Sequence, residues 1–272
     1  MQLFYSNKHT KDIRKSLLKD KFFMNISDFP YPKINLPKDL KDEPELFDGV
    51  EKYLTQIEKY IFTNIDLREH GVHSWILQIV SANLVRSLYI RNSFVDSINS
   101  RNIVAMFLNL KAWLEIVGVL SSVLDILKQD LSDRDLHEKI KPYALGNRGS
   151  GSMRVGTIEV VNVLTMIKKS DNYMKAISKD EKLSNFFSDF YDVASNPTHP
   201  SYDSYEFMGD LKDDAIWNIK NPNDFKKQLI TYRPMYGGLL LSPIFIELIC
   251  SEIFDIEKDN FRKVKSESFF QT

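Results

Sequence analysis

With a single cysteine among 272 residues, the chain has no disulfide framework, and a reducing, cytoplasmic setting is expected. Cys250 itself lies in an apolar run, residues 239–250, and reads as a small buried hydrophobe. Charge of one sign is equally scarce. The 36 Lys and Arg residues face 37 Asp and Glu, so no global field favours a polyanion or an anionic membrane, and any nucleic-acid surface would have to be a local patch. Residues 239–250 are interrupted by Pro243 and Glu247 and fall well short of the roughly 20 apolar residues that span a bilayer, so no membrane partner is expected. The first residues lack a charged segment ahead of an apolar one, because Lys11, Arg14, Lys15 and Lys19 follow the apolar positions, so no secretory leader is expected. No run alternates with period two long enough to compete as a strand, and no internal repeat is visible.

What is present is hydrophobicity, 43% of residues, in a chain long enough to bury a sizeable core. Ile13, Leu17 and Leu18 fit an amphipathic helix over residues 8–24, and Pro30, Pro32, Pro37 and Pro44 then enforce an extended arm. Phe47, Val50, Leu54, Ile57 and Ile61 recur at three- and four-residue steps and predict a helix over residues 45–64. Ile76, Ile79, Val80, Leu84 and Leu88 predict a second over 74–95. Ile103, Phe107, Leu110, Leu114, Val117, Leu120 and Leu124 predict a third, capped by Ser100. Between residues 141 and 156 periodicity fails, and Gly146, Gly149, Gly151 and Gly156 mark a long loop. Helix resumes at Thr157 with Val160, Val161, Leu164 and Ile167, and another runs from a cap at Asp180 to about Ser195. After a polar stretch to Asn223, a last apolar segment extends to about Phe254, bent at Pro234 and Pro243. The expectation is an all-α, multi-helix bundle. It forms one unit over residues 1–272: 1–44 helix and proline-rich arm, 45–140 first helical half, 141–156 glycine-rich loop, 157–272 second helical half.

The most distinctive segment is residues 187–201, where Pro197 and Pro200 end a helix and place His199 on a stiff turn beyond its C-terminus. An imidazole there gains from the negative end of the helix dipole. Functionally, His199 is a general acid/base or phosphate contact, with Tyr191 and Ser195 one turn apart on the preceding helix. Structurally, it ties the last carbonyls and locks the turn.

Tyr191, Ser195, His199 and Pro200 resemble the Tyr-x-x-Leu-Ser-Glu-x-x-His-Pro-Asn signature of a group of bacterial all-helical proteins. Ala194, Asn196 and Ser201 depart from it, and the acid missing at 196 puts a carboxylate–histidine pair in doubt. The likeness extends loosely through residues 162–171 and 101–115, about half the chain, and in outline is similar to HEPN-like domains of toxin and abortive-infection systems. That resemblance implies a metal-independent endoribonuclease acting on RNA, without a cofactor and as a homodimer. In the HEPN pattern an Arg is followed by four to six residues and then His. No arginine stands so before His199, but Arg68 and His73 match with four residues between them. Gly71 within that interval also reads as a helix-terminal turn, which leaves Arg68 and His73 as capping residues.

Other candidates carry weaker chemistry. Glu69, His70 and His73, and Asp133, Asp135, His137 and Glu138, cluster without a zinc-binding order and read as solvated helix ends, so no metal is expected. The loop holding Arg148 and Arg154 exposes glycine amides that suit an RNA or nucleotide phosphate, yet no strand precedes it and its order is neither a P-loop nor a dinucleotide fingerprint, so a connector explains it better. Arg101 and Glu115 are expected on one helix. Flanked by Trp113, Leu114, Ile116 and Val117, Glu115 needs either a partner from another helix or an outward orientation. Trp75, Trp113 and Trp217 lack basic neighbours and read as core or interface anchors. The competing reading of the whole chain is a non-catalytic helical protein that binds a protein partner or a second copy of itself.

Overall fold

The computed structural model describes residues 60, 61, 65, 71–145, 161–178, 180–198, 209–212, 216–219 and 233–268. Within them lie six α-helices: α1 (Gly71–Asn99), α2 (Ile103–Leu127), α3 (Asp133–Leu145), α4 (Val163–Ser178), α5 (Phe186–Ser195) and α6 (Arg233–Ser268). Short 3-10 turns at Glu181–Leu183 and Asn196–Thr198 lead into and out of α5. The described residues form the all-α helical bundle that the periodicity predicts.

The bundle is organised around α2, which packs against each of the other five α-helices. Its sequence explains the position: Trp113, Leu114, Ile116, Val117, Leu120 and Val123 are all fully buried, and a helix apolar around most of its circumference has to be largely surrounded. By length and composition alone α2 is also long and apolar enough to cross a membrane, though most of that apolar window is buried inside the bundle. Gly118 admits the closest neighbour, since a Cβ there would sit 3.1 Å from Cβ of Met166 on α4. Around α2 the core is filled by Ile76, Val80, Leu84 and Leu88 of α1, Phe187 of α5, and Phe245, Ile249, Cys250 and Ile253 of α6. Cys250 is buried, as its apolar setting predicts.

A tight turn joins α1 to α2 and sets their register. Arg101 adopts φ of 58°, the left-handed region that usually calls for glycine. Its amide donates to the Ile98 carbonyl and the amide of Asn102 to that of Ser97, the paired bonds of a Schellman closure. Asn102 then caps α2, its side chain accepting from the Ala105 amide at 3.1 Å. The expected cap, Ser100, instead donates back to the Asp96 carbonyl, and Arg101 belongs to the turn rather than to the helix of Glu115.

Elsewhere the boundaries shift. The helix expected to break down at residue 141 continues through Pro142 to Leu145, so the polar segment with Asp133, Asp135, His137 and Glu138 is the start of a full helix, seated by Leu136 and Ile140. Helix α4 begins at Val163, not Thr157, because Asn162 caps it by accepting from the Leu164 amide. Leu164, assigned to the buried stripe, is exposed, and Met166, Ile167 and Met174 form the inner face. Asp180 does cap, but it caps the 3-10 turn, accepting from Lys182, and α5 starts only at Phe186. The last helix is continuous through Pro243 and ends at Ser268, well past Phe254. Within the stretch read as merely polar, Gly209–Lys212 and Ile216–Ile219 pair as an antiparallel hairpin, Gly209 opposite Ile219. The proline-rich arm and the glycine-rich loop lie outside the described residues, as does most of the helix expected over 45–64. Of that helix, Tyr60 and Ile61 are described. Both are buried, and the backbone at Ile61 is not helical.

Candidate functional site

The segment singled out by sequence, α5, is short, and ten residues make a helix that needs external support. Asp171 on α4 supplies it. Its buried carboxylate accepts from the Phe187 amide at 2.7 Å and the Ser188 amide at 3.4 Å, and from the Ser188 hydroxyl, so an acid from a neighbouring helix satisfies the donors that a short helix leaves open. Burial pushes the Asp171 carboxyl above the ordinary aspartate range, against the lowering effect of those three bonds. Phe187 packs edge-on against Phe245 of α6, ring centroids 4.9 Å apart, and Ala194 is fully buried. These contacts fix which face of α5 looks inward.

Tyr191 is on that face. Its hydroxyl points to Oε1 of Glu115 on α2 at 3.5 Å, a long contact, while Nη2 of Arg86 on α1 donates to Oε2 of the same carboxylate at 3.3 Å. Lys111, one turn before Glu115, places its ammonium 5.4 Å from the centre of the Tyr191 ring. The cluster is half open to solvent, with the side chains of Arg86 and Glu115 48% and 28% exposed. Glu115 thus finds its partners on other helices, the first of the two alternatives its apolar flanks allowed. Three helices bring together a carboxylate, a phenol and two cations, a set able to take up a proton and to neutralise an anion.

A second tyrosine–glutamate–cation group lies at the C-terminal end of α2. Tyr173 of α4 donates to Oε1 of Glu252 on α6 at 2.7 Å, Lys128 pairs with Oε2 at 2.7 Å, and the Lys128 ammonium lies 5.5 Å from the centre of the Tyr173 ring. Nearby, Lys169 pairs with Asp125 at 2.8 Å. Burial, reinforced by Glu252, pushes the Tyr173 phenol well above its ordinary range and keeps it a neutral donor.

The residues proposed from sequence do not gather at one place. Tyr191 and Ser195 share α5, and the Ser195 hydroxyl is buried with no hydrogen-bond partner among the described residues. His73 stands at the start of α1, thirteen residues from Arg86, which is about 20 Å along the helix. Its Nδ1 donates to Oε2 of the buried Glu257 of α6 at 2.7 Å, and Asn260 donates to the same oxygen. Gly71, with φ of 56°, opens that helix. Arg68, His199, Arg148 and Arg154 lie outside the described residues. His137 stacks on Trp75, ring centroids 4.3 Å apart, and among the described residues no three His, Cys, Asp or Glu side chains group as metal ligands. Arg86 and Lys111 were not nominated by sequence. One signal existed: Arg86 lies fifteen residues before Arg101 and Glu115 fourteen after it, so a tight turn at 101 sets them opposite each other. No family model, curated protein or solved structure matches this chain.

Proposed function

We propose that this protein is a cytoplasmic helical effector of the bacterial toxin or defence type that cleaves RNA without a metal, with Glu115 and Tyr191 at its working site. The observation that carries the reading is the Glu115 carboxylate, held loosely between a phenol and a guanidinium beside the one segment with a family resemblance. The signature lacks its acid at position 196, and Glu115 supplies a carboxylate across the helix interface instead. In this chemistry Glu115 takes the proton of a ribose 2′-hydroxyl, the freed oxygen attacks the adjacent phosphorus, and the 5′-oxygen leaves with a proton from His199. The products are a 2′,3′-cyclic phosphate and a 5′-hydroxyl. Tyr191 orients the carboxylate, and the cations offset the charge that develops on the phosphoryl oxygens.

The test is incubation of the purified full chain with RNA in chelator, with analysis of the ends produced. Cyclic phosphate ends, and a loss of about 10²–10⁴-fold on Glu115→Gln or His199→Ala, are expected. Intact RNA with the wild-type chain, or undiminished cleavage by both variants, removes the reading.

A second reading, a non-catalytic protein that binds a protein partner or itself, is favoured by His73. Its imidazole is engaged by buried Glu257 and joins α1 to α6, a structural use of a residue otherwise suited to acid–base work. Retained cell toxicity in a His73→Ala, His199→Ala double variant, with a partner or dimer recovered from solution, would favour it.

A further inference from the structure

Among the described residues Arg86 makes one polar contact, from Nη2 to Glu115 at 3.3 Å, with nearly half of its side chain exposed. A guanidinium carries five N–H donors in a planar fork, so a single long bond uses little of its capacity. An exposed ion pair of this kind contributes little to folding, whereas a fork on two phosphate oxygens is a stronger, charge-assisted arrangement. The same bond has a chemical cost, because it occupies Oε2 of the carboxylate read above as the base. We propose that Arg86 is a phosphate ligand of this site, held on Glu115 in the resting protein and transferred to a backbone phosphate when a single-stranded RNA docks. This rests on the reading of Glu115 as the base. The transfer releases Oε2 at the moment a 2′-hydroxyl arrives, so that oxygen is free to accept the hydroxyl proton only with substrate in place. Glu115 keeps the Tyr191 hydroxyl on its other oxygen throughout, which holds its orientation. The tight Tyr173–Glu252–Lys128 group, with both bonds at 2.7 Å, provides the internal contrast of an arrangement not built for exchange.

The experiment uses the full chain and a single-stranded oligoribonucleotide methylated at every 2′-oxygen, which can bind but has no 2′-proton to lose. Its Kd is measured by fluorescence anisotropy over a range of salt for wild type, Arg86→Gln, Glu115→Gln and the double variant. Arg86→Gln is expected to weaken binding about tenfold and to make the salt dependence shallower by about 0.7 of a log–log unit, one phosphate contact on a single strand. Glu115→Gln is expected to tighten binding several-fold by releasing Arg86, and that gain is expected to vanish in the double variant. Arg86→Gln with wild-type affinity and salt slope, or an equal gain from Glu115→Gln in both backgrounds, overturns the assignment while leaving the RNA reading standing. A wild-type chain that does not bind the oligonucleotide overturns both.

Discussion

The middle of α2 and its C-terminal end hold the same three kinds of side chain at different bond lengths. In the middle Tyr191, Glu115 and Arg86 meet at 3.5 and 3.3 Å; at the end Tyr173, Glu252 and Lys128 meet at 2.7 and 2.7 Å. Exposure does not account for the contrast, since Glu252 is 38% exposed and Glu115 28%. What differs is saturation: each oxygen of Glu252 receives a short bond, whereas the bonds to Glu115 are long enough for a competing group to replace them. Composition alone would not separate a structural tie from a site. Bond length and the spare donors of the cation do.

The largest expected effect separates the two glutamates by function. Glu115→Gln should reduce RNA cleavage by about 10²–10⁴-fold with little change in melting temperature, while Glu252→Gln should leave the rate within a few-fold of wild type. Equal rates for both variants would erase the distinction. Next comes the support of the loose group. Asp171→Ala strands the amides at the start of α5 and should cost about 2 kcal/mol in urea unfolding, which a loss below about 0.5 kcal/mol would contradict.

Asp171 also sets a pH signature. Its folded pKa is raised by burial above the unfolded value, so protonation of the folded form adds an increment of stability that is full below the ordinary aspartate pKa, about 3.9, and is lost as pH rises through the raised one. Asp171→Asn should flatten that decline in a series of melting temperatures against pH, and a parallel curve would show that the carboxyl does not titrate there. A smaller effect contrasts the two phenols: Tyr173→Phe should cost about 1 kcal/mol, and Tyr191→Phe, with its 3.5 Å contact, about half of that or less. Comparable in size and opposite in sign is Arg101→Gly, which should stabilise the turn that sets Arg86 opposite Glu115 by about 0.5–1 kcal/mol, because glycine accepts a positive φ without strain.

Helix interiors were legible because burial repeats along them, as Ile76, Val80, Leu84 and Leu88 do on α1. Helix ends were less so. Ser100, Arg101 and Asn102 can each close or open a helix, and only the backbone path decides which of them does. Among the described side chains of helix α3 only Leu136 and Ile140 are buried apolar residues, on a charged surface, too few to register as a stripe. The hairpin strands have four residues each, shorter than any alternation that can be recognised. At the candidate site the sequence pointed to Tyr191 and Ser195, but not to Arg86 or Lys111, because their partners, Glu115 29 residues from Arg86 and the Tyr191 ring 80 residues from Lys111, are chosen by which helix faces meet. Periodicity identifies the inward face of each helix and leaves its neighbour open.

The central place of α2 has a practical corollary for dissecting the molecule. Three of the helices that lean on it, α4, α5 and α6, come after residue 160 in the chain, and two, α1 and α3, come before residue 146. A break anywhere between would give two fragments, one with an uncovered greasy rod and the other with nothing to wrap around it. Each alone should aggregate or stay unstructured, whereas the pair, produced together, has every surface it needs to recombine.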